Sequence, residues 1–381
     1  MRLPAFRFSS ATEIRFGRGE ARQAVPDLAR LGQRVLLIQG ASPVRTAWMY
    51  DALKAGGCYV STFAVPGEPD IKLISDGVKA ARESGAQAVI AIGGGAVIDA
   101  GKAIAALVPA TRPLLDHLEV VGQGLPLEAA PLPFAAIPTT AGTGAEVTRN
   151  AVISVTDARR KVSLRDARML PRLAIIDPSL TDDCPCAVTL ASGLDAITQV
   201  VEPYLSTRAN PMTDSLCLPV IESGLRALGT LMDREDPDAR DAMAWTSLCG
   251  GLALANAGLG VVHGLAGPLG GLSGARHGTI CGALLPHGLA ANAAQATGTT
   301  ARRIRHILEC FARVLSTRPD QALLSLDAWS RNAGLPGLDA QGITREHRNS
   351  AAVMAASSSS MKANPVALSE SALAEIMEKA R

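Results

Sequence analysis

The stretch "QAVIAIGGGAVIDAGKAIAAL", residues 87–107, decides how the chain is read. Its first half is a short apolar run rich in β-branched residues, which predicts a buried strand. Gly93, Gly94 and Gly95 end that run, and "GAVIDAGKAIAAL" (95–107) then carries apolar residues at helical spacing. A strand that passes through glycines into a helix lets backbone approach a pyrophosphate, with free N–H groups and the positive end of the helix dipole facing it. The pattern is not G-x-G-x-x-G. Nor is it a Walker loop, because Gly95 to Gly101 is one residue too long and no Ser or Thr follows Lys102. Asp99 would disfavour triphosphate binding unless it faces away. Taken alone, such a turn is a tight corner more often than a ligand cradle.

Working outward, "RVLLIQG" (34–40), "LPFAAIPTT" (132–140) and "RLAIIDP" (172–178) predict further strands, and "DGVKAARESG" (76–85) an amphipathic helix with a glycine stop. Strands alternating with helices predict a mostly parallel sheet covered on both faces. Within "PTTAGTGAEVT" (138–148), the hydroxyls of Thr139, Thr140 and Thr143 follow a predicted strand directly. Hydroxyls and exposed N–H groups there suit a nucleotide or a nicotinamide amide, so the two loops together favour nucleotide binding. After Cys186 the texture changes. "DAITQVVEPYLS", "MTDSLCLPVIESGLRALGTLM" and "TARRIRHILECFARVLS" all carry helical periodicity, and Ser369 is placed to cap a closing helix. The expected fold class is an α/β N-terminal dinucleotide-binding (Rossmann-like) domain, residues 1–185, plus an all-α C-terminal domain, residues 186–381. The ligand is expected in the cleft between the two.

Composition narrows the function classes. With 381 residues, 48% apolar and 19% charged, the chain has enough apolar sequence for two cores. A net charge of +2, 3% aromatics and no basic cluster give no support to nucleic-acid binding. The seven cysteines are scattered, with Cys184 and Cys186 a lone C-x-C, so they are read as mostly buried, reduced thiols in a cytoplasmic protein. The opening "MRLPAFRFSSATEIRFG" lacks the apolar central run of a signal peptide. From Ala242 to Ala275 there is no charged residue, a span long enough to cross a bilayer. Nine glycines, Asn256 and His263 interrupt it, however, and no basic flank sets an orientation. A pair of closely packed buried helices is the preferred reading, and no membrane partner is expected.

The chain has only six histidines, and two of them, His263 and His277, lie in the glycine-dense "VVHGLAGPLGGLSGARHG" (261–278). Satisfied core histidines and the ends of a membrane span are two ordinary explanations. A metal site is a third. In "SGLDAITQVVEPY" (192–204), Asp195 and Gln199 are four apart and share a helix face. One carboxylate, one amide oxygen and two imidazoles would suit Zn²⁺ or Fe²⁺. Spacing alone does not tie residue 195 to residue 263.

Taken in order, "RFGRG", "GGGAVIDAGKA", "IPTTAGTGAEVT", Lys161, "LPRLAIIDPSLT", "SGLDAIT…EPY", "H…GPLGG……HG" and "SSMKANP" resemble the iron-containing (group III) alcohol dehydrogenases almost end to end. The resemblance implies the two-domain fold already read, with a metal in the cleft held by residues at Asp195, Gln199, His263 and His277. It puts the pyrophosphate over Gly94 and Gly95, with Asp99 in the same motif, and lines the cofactor with Thr139, Thr140, Thr143, Lys161 and Leu180. It also implies a homodimer or other homo-oligomer.

Several positions depart from the family pattern. Gln199 stands where a histidine is usual, a weaker neutral donor, and the related glycerol dehydrogenases resemble a three-ligand version with Asp, His and His. Gly267 replaces a second common histidine, His287 is not read as a ligand, and Arg276 stands where a proline is usual, bringing positive charge toward the cleft mouth. Many members carry an aspartate after the first strand that binds the adenosine ribose. Here that position is Gln39, followed by Ser42 and Arg45, which shifts the expectation from NAD(H) toward NADP(H). The expected function is metal-dependent, NAD(P)-linked hydride transfer between an alcohol and an aldehyde or ketone, with Fe²⁺ or Zn²⁺ and no catalytic side chain assigned beyond the metal ligands. The alternatives are a metal-independent reductase similar to maleylacetate reductase, and a non-catalytic nucleotide-binding protein with a decayed metal site.

Overall fold

The computed structural model describes residues 5–356 and 358–381. The first four residues of the N-terminal stretch, read above for a signal peptide, and Ser357 of the serine-rich loop lie outside the described residues. The chain forms two compact units. One comprises Ser10–Thr140 and Ala145–Thr181, and the other comprises residues 5–9, Ala141–Gly144 and Asp182–Arg381.

The first unit carries β1 (Glu13–Phe16), β2 (Arg34–Gly40), β3 (Tyr59–Val65), β4 (Ala88–Gly93), β5 (Phe134–Pro138), β6 (Asn150–Val155), β7 (Arg160–Arg165) and β8 (Leu173–Ile176). Six of them form a parallel sheet in the order β1-β8-β5-β4-β2-β3. Its long helices are α1 (Ala47–Ala55), α2 (Ile71–Glu83) and α3 (Gly95–Leu107). Residues alternate between the two faces of each strand. Leu36, Ile38, Val89 and Ala91 join one core layer with Ile74 and Val78 of α2 and Ile98 and Ile104 of α3. Val35, Leu37, Ile90 and Ile92 join the opposite layer with Met49 and Leu53 of α1. Burial on both faces is why these strands are continuously apolar in sequence.

Strand order reverses between β2 and β4, since β3 lies outside β2 and β5 outside β4. Open parallel sheets bind ligands beyond the carboxyl ends of the strands at such a reversal. Those ends are Gln39–Gly40 and Gly93, in register through Gln39 opposite Ile92 and Gly93 opposite Pro138. The remaining two strands, β6 and β7, pair as an antiparallel hairpin turned by Arg159 at φ 50°.

The second unit is helical: α4 (Cys186–Leu205), α5 (Pro211–Asp233), α6 (Pro237–Ala257), α7 (Val261–Ser273), α8 (His277–Gln295), α9 (Gly298–Val314), α10 (Ala322–Asn332), α11 (Arg345–Ala356) and α12 (Glu370–Lys379). Asn210 closes a capping box at the start of α5, and Ser369 caps α12 by accepting from Ala372 N at 3.2 Å. Among the described residues no single helix is long and apolar enough to cross a membrane. The charge-free run is divided between α6 and α7, which meet at a 96° bend. Both are largely buried, α6 against α4 and α5, and α7 against α8 and α11. Small residues allow comparably close packing elsewhere in this unit. A Cβ on Gly278 would lie 2.6 Å from the Ala191 carbonyl oxygen of α4, and one on Gly144 (φ 57°) only 2.4 Å from Gly251 Cα. Five of the seven cysteines are buried, and none forms a disulfide.

Candidate active site

The glycine turn of the first unit has the form expected of a phosphate cradle. Gly94 is the N-cap of α3, with extended backbone and no side-chain cap, so the first N–H groups of the helix have no capping side chain. A Cβ on Gly94 would meet Thr140 Oγ1 at 3.4 Å, and Thr139 N donates to Gly93 O at 3.0 Å. The two loops read from the sequence therefore lie side by side. Thr143 falls in the segment 141–144, which packs with the helical unit.

Asp99, in the same motif, is engaged by the chain itself. Its Oδ2 accepts from Val152 N of β6 at 3.0 Å, and its Oδ1 lies 3.1 Å from Lys102 Nζ. Lys102, the lysine of the motif, is fully buried and donates to Ala145 O (2.9 Å), Thr148 Oγ1 (2.8 Å) and Asn150 O. It ties α3 to the segment 145–150 instead of reaching a ligand. Burial pushes the neighbouring Glu146 carboxyl up to about 7. Lys161 on β7 forms an ion pair with Glu68. Leu180 packs beside the core layer that contains Val35 and Leu37.

At the end of β2, Gln39 is buried and its Oε1 accepts from the Thr46 hydroxyl. The strand end at the sheet reversal is thus neutral. Ser42 and Arg45 follow on the exposed surface, Ser42 as the N-cap of a short 3₁₀ turn, Pro43–Thr46.

In the helical unit, residues far apart in sequence converge. Asp195 Oδ1 lies 3.3 Å from His263 Nε2 and 3.8 Å from His277 Nε2, and the two imidazole centres are 5.4 Å apart. Asp195 Oδ1, Gln199 Oε1 and His263 Nε2 are all buried without a hydrogen-bond partner. Leaving three such atoms unpaired is costly, and a bound cation would satisfy them. The donor chemistry fits Zn²⁺ or Fe²⁺. Burial alone would raise the Asp195 carboxyl, but His277 and His263 outweigh it and hold it below the usual range. Burial would likewise lower His263, yet Cys281, Glu202 and Asp195 around it carry it well above its ordinary value.

Two residues of this cluster escaped sequence reasoning. Glu202 Oε2 accepts from His263 Nδ1 at 2.6 Å, while its Oε1 accepts from Val262 N at 2.6 Å. With Nδ1 held by Glu202, Nε2 is the ring nitrogen that faces the cluster, the arrangement of a carboxylate–histidine–metal triad. Glu202 is seven residues after Asp195 and three after Gln199, so the helix-face argument that joined those two extends to it. Cys281 Sγ lies 3.6 Å from His277 Nε2, and the donor atoms of Asp195, His263, His277 and Cys281 all lie within 4.8 Å of one another. Its signal was the spacing of four from His277 on one helix. His287 stands outside the cluster, 3.6 Å from Asp327.

Comparison with known proteins agrees with both units. Residues 11–178 match the family model described as iron-containing alcohol dehydrogenase, and residues 189–381 match the C-terminal model of the same family. The chain belongs to the iron-containing alcohol dehydrogenase family. It is an oxidoreductase acting on CH–OH donors, an alcohol dehydrogenase in the broad sense. It is 33% identical over 329 residues to lactaldehyde reductase of Escherichia coli K12, covering 84% of this chain and 85% of that one. It is 30% identical over 379 residues to the NAD-dependent methanol dehydrogenase of Bacillus methanolicus, covering 96% and 97%. The crystal structure of a 1,3-propanediol oxidoreductase superposes with a TM-score of 0.90 at 28% identity, covering 99% of this chain and 100% of that one.

Proposed function

We propose that this enzyme interconverts alcohols with aldehydes or ketones using NADP(H) in preference to NAD(H), with one divalent cation held by Asp195, His263 and His277. The convergence of unpartnered, buried donor atoms from α4 and α7 is the observation that carries this reading. It favours a metal-dependent enzyme over a metal-independent reductase, for which such atoms would have no use. The relatives' names, a lactaldehyde reductase and a methanol dehydrogenase, support the reaction class.

A cation at this cluster would polarise the substrate oxygen as a Lewis acid during hydride transfer. The chain's own residues do the remaining work. Asp195 supplies the negative charge that the cation needs, and Glu202 fixes the tautomer and orientation of His263. Gln199, a neutral oxygen, adds a weak donor. Gly94, Gly95 and the start of α3 bind the pyrophosphate, and Thr139, Thr140, Thr143, Lys161 and Leu180 orient the remainder of the cofactor. Neutral Gln39 removes the charge that would repel a 2′-phosphate, and Ser42 and Arg45 are placed to accept one.

The test is elemental analysis of anaerobically purified protein, combined with NADPH and NADH oxidation across a panel of aldehydes and ketones. About one Fe or Zn per chain is expected, lost in His263→Ala, together with aldehyde-dependent NADPH oxidation. Less than about a tenth of a metal per chain, unrestored by adding Fe²⁺ or Zn²⁺, would overturn the metal assignment, since a working site holds one ion. A higher kcat/KM for NADH would overturn the cofactor assignment.

A further inference from the structure

Resting on the metal reading above, we propose that Cys281 is itself a metal ligand, so that the site is an Asp–His–His–Cys set that selects zinc over iron. The distances carry the argument. With metal–nitrogen and metal–oxygen bonds of about 2.0–2.1 Å and a metal–sulfur bond of about 2.3 Å, tetrahedral angles separate nitrogen and oxygen donors by about 3.3–3.4 Å, and sulfur from nitrogen by about 3.5–3.6 Å. The Asp195 Oδ1–His263 Nε2 separation is 3.3 Å and the Cys281 Sγ–His277 Nε2 separation is 3.6 Å. Asp195 Oδ1 to His277 Nε2 is somewhat wider, at 3.8 Å. All four donors lie within 4.8 Å of one another.

A simple S–H···N contact between Cys281 and His277 would account for one of these separations. It leaves unexplained why Asp195 Oδ1 and His263 Nε2, each buried and without a hydrogen-bond partner, face the same small volume. Helix geometry supplies the sulfur naturally. His277 and Cys281 are successive-turn neighbours at the start of α8, just as Asp195 and Gln199 are on α4, so two helices each offer an i, i+4 pair. Gln199 is the poorest donor among these residues, and a thiolate is the strongest for a borderline-soft ion. Sulfur therefore takes the place that a neutral amide oxygen fills poorly, and moves selectivity from Fe²⁺ and Mn²⁺ toward Zn²⁺ and Co²⁺. As the metal–sulfur bond forms, the thiol proton is released to solvent, so binding liberates a proton.

The test is anaerobic titration of metal-free full-length protein with Co²⁺, followed by absorption spectroscopy. Wild type is expected to develop visible d–d bands of tetrahedral intensity and a near-ultraviolet thiolate-to-cobalt charge-transfer band, saturating together at one equivalent. Cys281→Ser and Cys281→Ala are expected to keep visible bands, lose the charge-transfer band, and bind Zn²⁺ at least about 10-fold more weakly. Visible bands in wild type without the charge-transfer band would overturn the sulfur ligand while leaving the metal site standing. No cobalt spectrum at all in folded wild type would overturn both. Retention of the charge-transfer band in both Cys281 variants would assign it to another thiol and also overturn the proposal.

Discussion

Gln39 and Glu202 are single side chains on which the two halves of the proposed chemistry turn. Gln39 ends β2 at the sheet reversal, with its amide oxygen committed to Thr46. Gln39→Asp places a negative charge there on a side chain one methylene shorter. It is expected to lower kcat/KM for NADPH relative to NADH by about 10-fold or more, since like charges brought together cost at least 1–2 kcal/mol. Steady-state kinetics with both cofactors measures this, and an unchanged ratio would show that the 2′-phosphate lies elsewhere. Glu202 acts through His263 as a positioning residue. Glu202→Gln keeps the shape but removes the charge, and is expected to weaken metal affinity about 10–100-fold, as losses beside a metal-ligating histidine do. Competition with a chromophoric chelator reads this directly. A purely structural Glu202 would lower thermal stability and leave the affinity unchanged.

Helix-to-helix contact is where the site gains or loses its geometry. Gly278 directly follows His277, and a methyl group there would sit 2.6 Å from a backbone oxygen of α4, the helix that carries Asp195. Gly278→Ala therefore forces α8 off α4 and is expected to cost about 1–3 kcal/mol of stability together with metal affinity. Gly267, within α7, has nothing within 4 Å of where its Cβ would lie. Gly267→Ala is expected to be neutral or to stabilise by up to about 1 kcal/mol, through helix propensity alone. The melting temperature should fall in Gly278→Ala and hold or rise in Gly267→Ala. These contacts also mark how far the sequence could be read. The central strands were legible because both faces are buried, and α3 because its periodicity and glycine entry coincide. β3 and the β6–β7 hairpin mix polar with apolar residues, as in "YVSTFAV" and "RKVSLR", and gave no such signal. Asp195 and Gln199 were linked by helical spacing. Their meeting with α7 and α8 depends on packing across many residues, which local spacing does not encode. Cys281 was hidden for a different reason. In the sequence it is one of seven scattered cysteines, and only its i+4 spacing from a histidine sets it apart.

For the folded molecule as a whole, Glu146 ties stability to pH. Its carboxyl titrates at about 7 in the fold, pushed up by burial, against 4.5 for the ordinary side chain. The folded state thus holds its proton more tightly than the unfolded chain. This contribution to stability is fully present below about pH 4.5 and is lost progressively as pH rises to about 7, by up to about 3 kcal/mol. Glu146→Gln mimics the protonated form, so its melting temperature is expected to exceed that of wild type increasingly between pH 5 and pH 8. A constant difference across that range would mean that Glu146 is ionised in the fold throughout.

The donors around the metal cluster are unequally sheltered. The side chains of Asp195 and His263 are 2% and 5% exposed, whereas that of His277 is 32% exposed. This gives the site an inner wall and a door. An ion binding at this cluster from solvent would meet His277 first and then the buried carboxylate, and an ion leaving would break its bonds in the reverse order. Exchange of such an ion would then be timed by the swing of one imidazole at the first turn of α8. Residence time would then be governed chiefly at position 277, whereas equilibrium affinity would draw on all the ligands, including the buried donors at positions 195, 263 and 281.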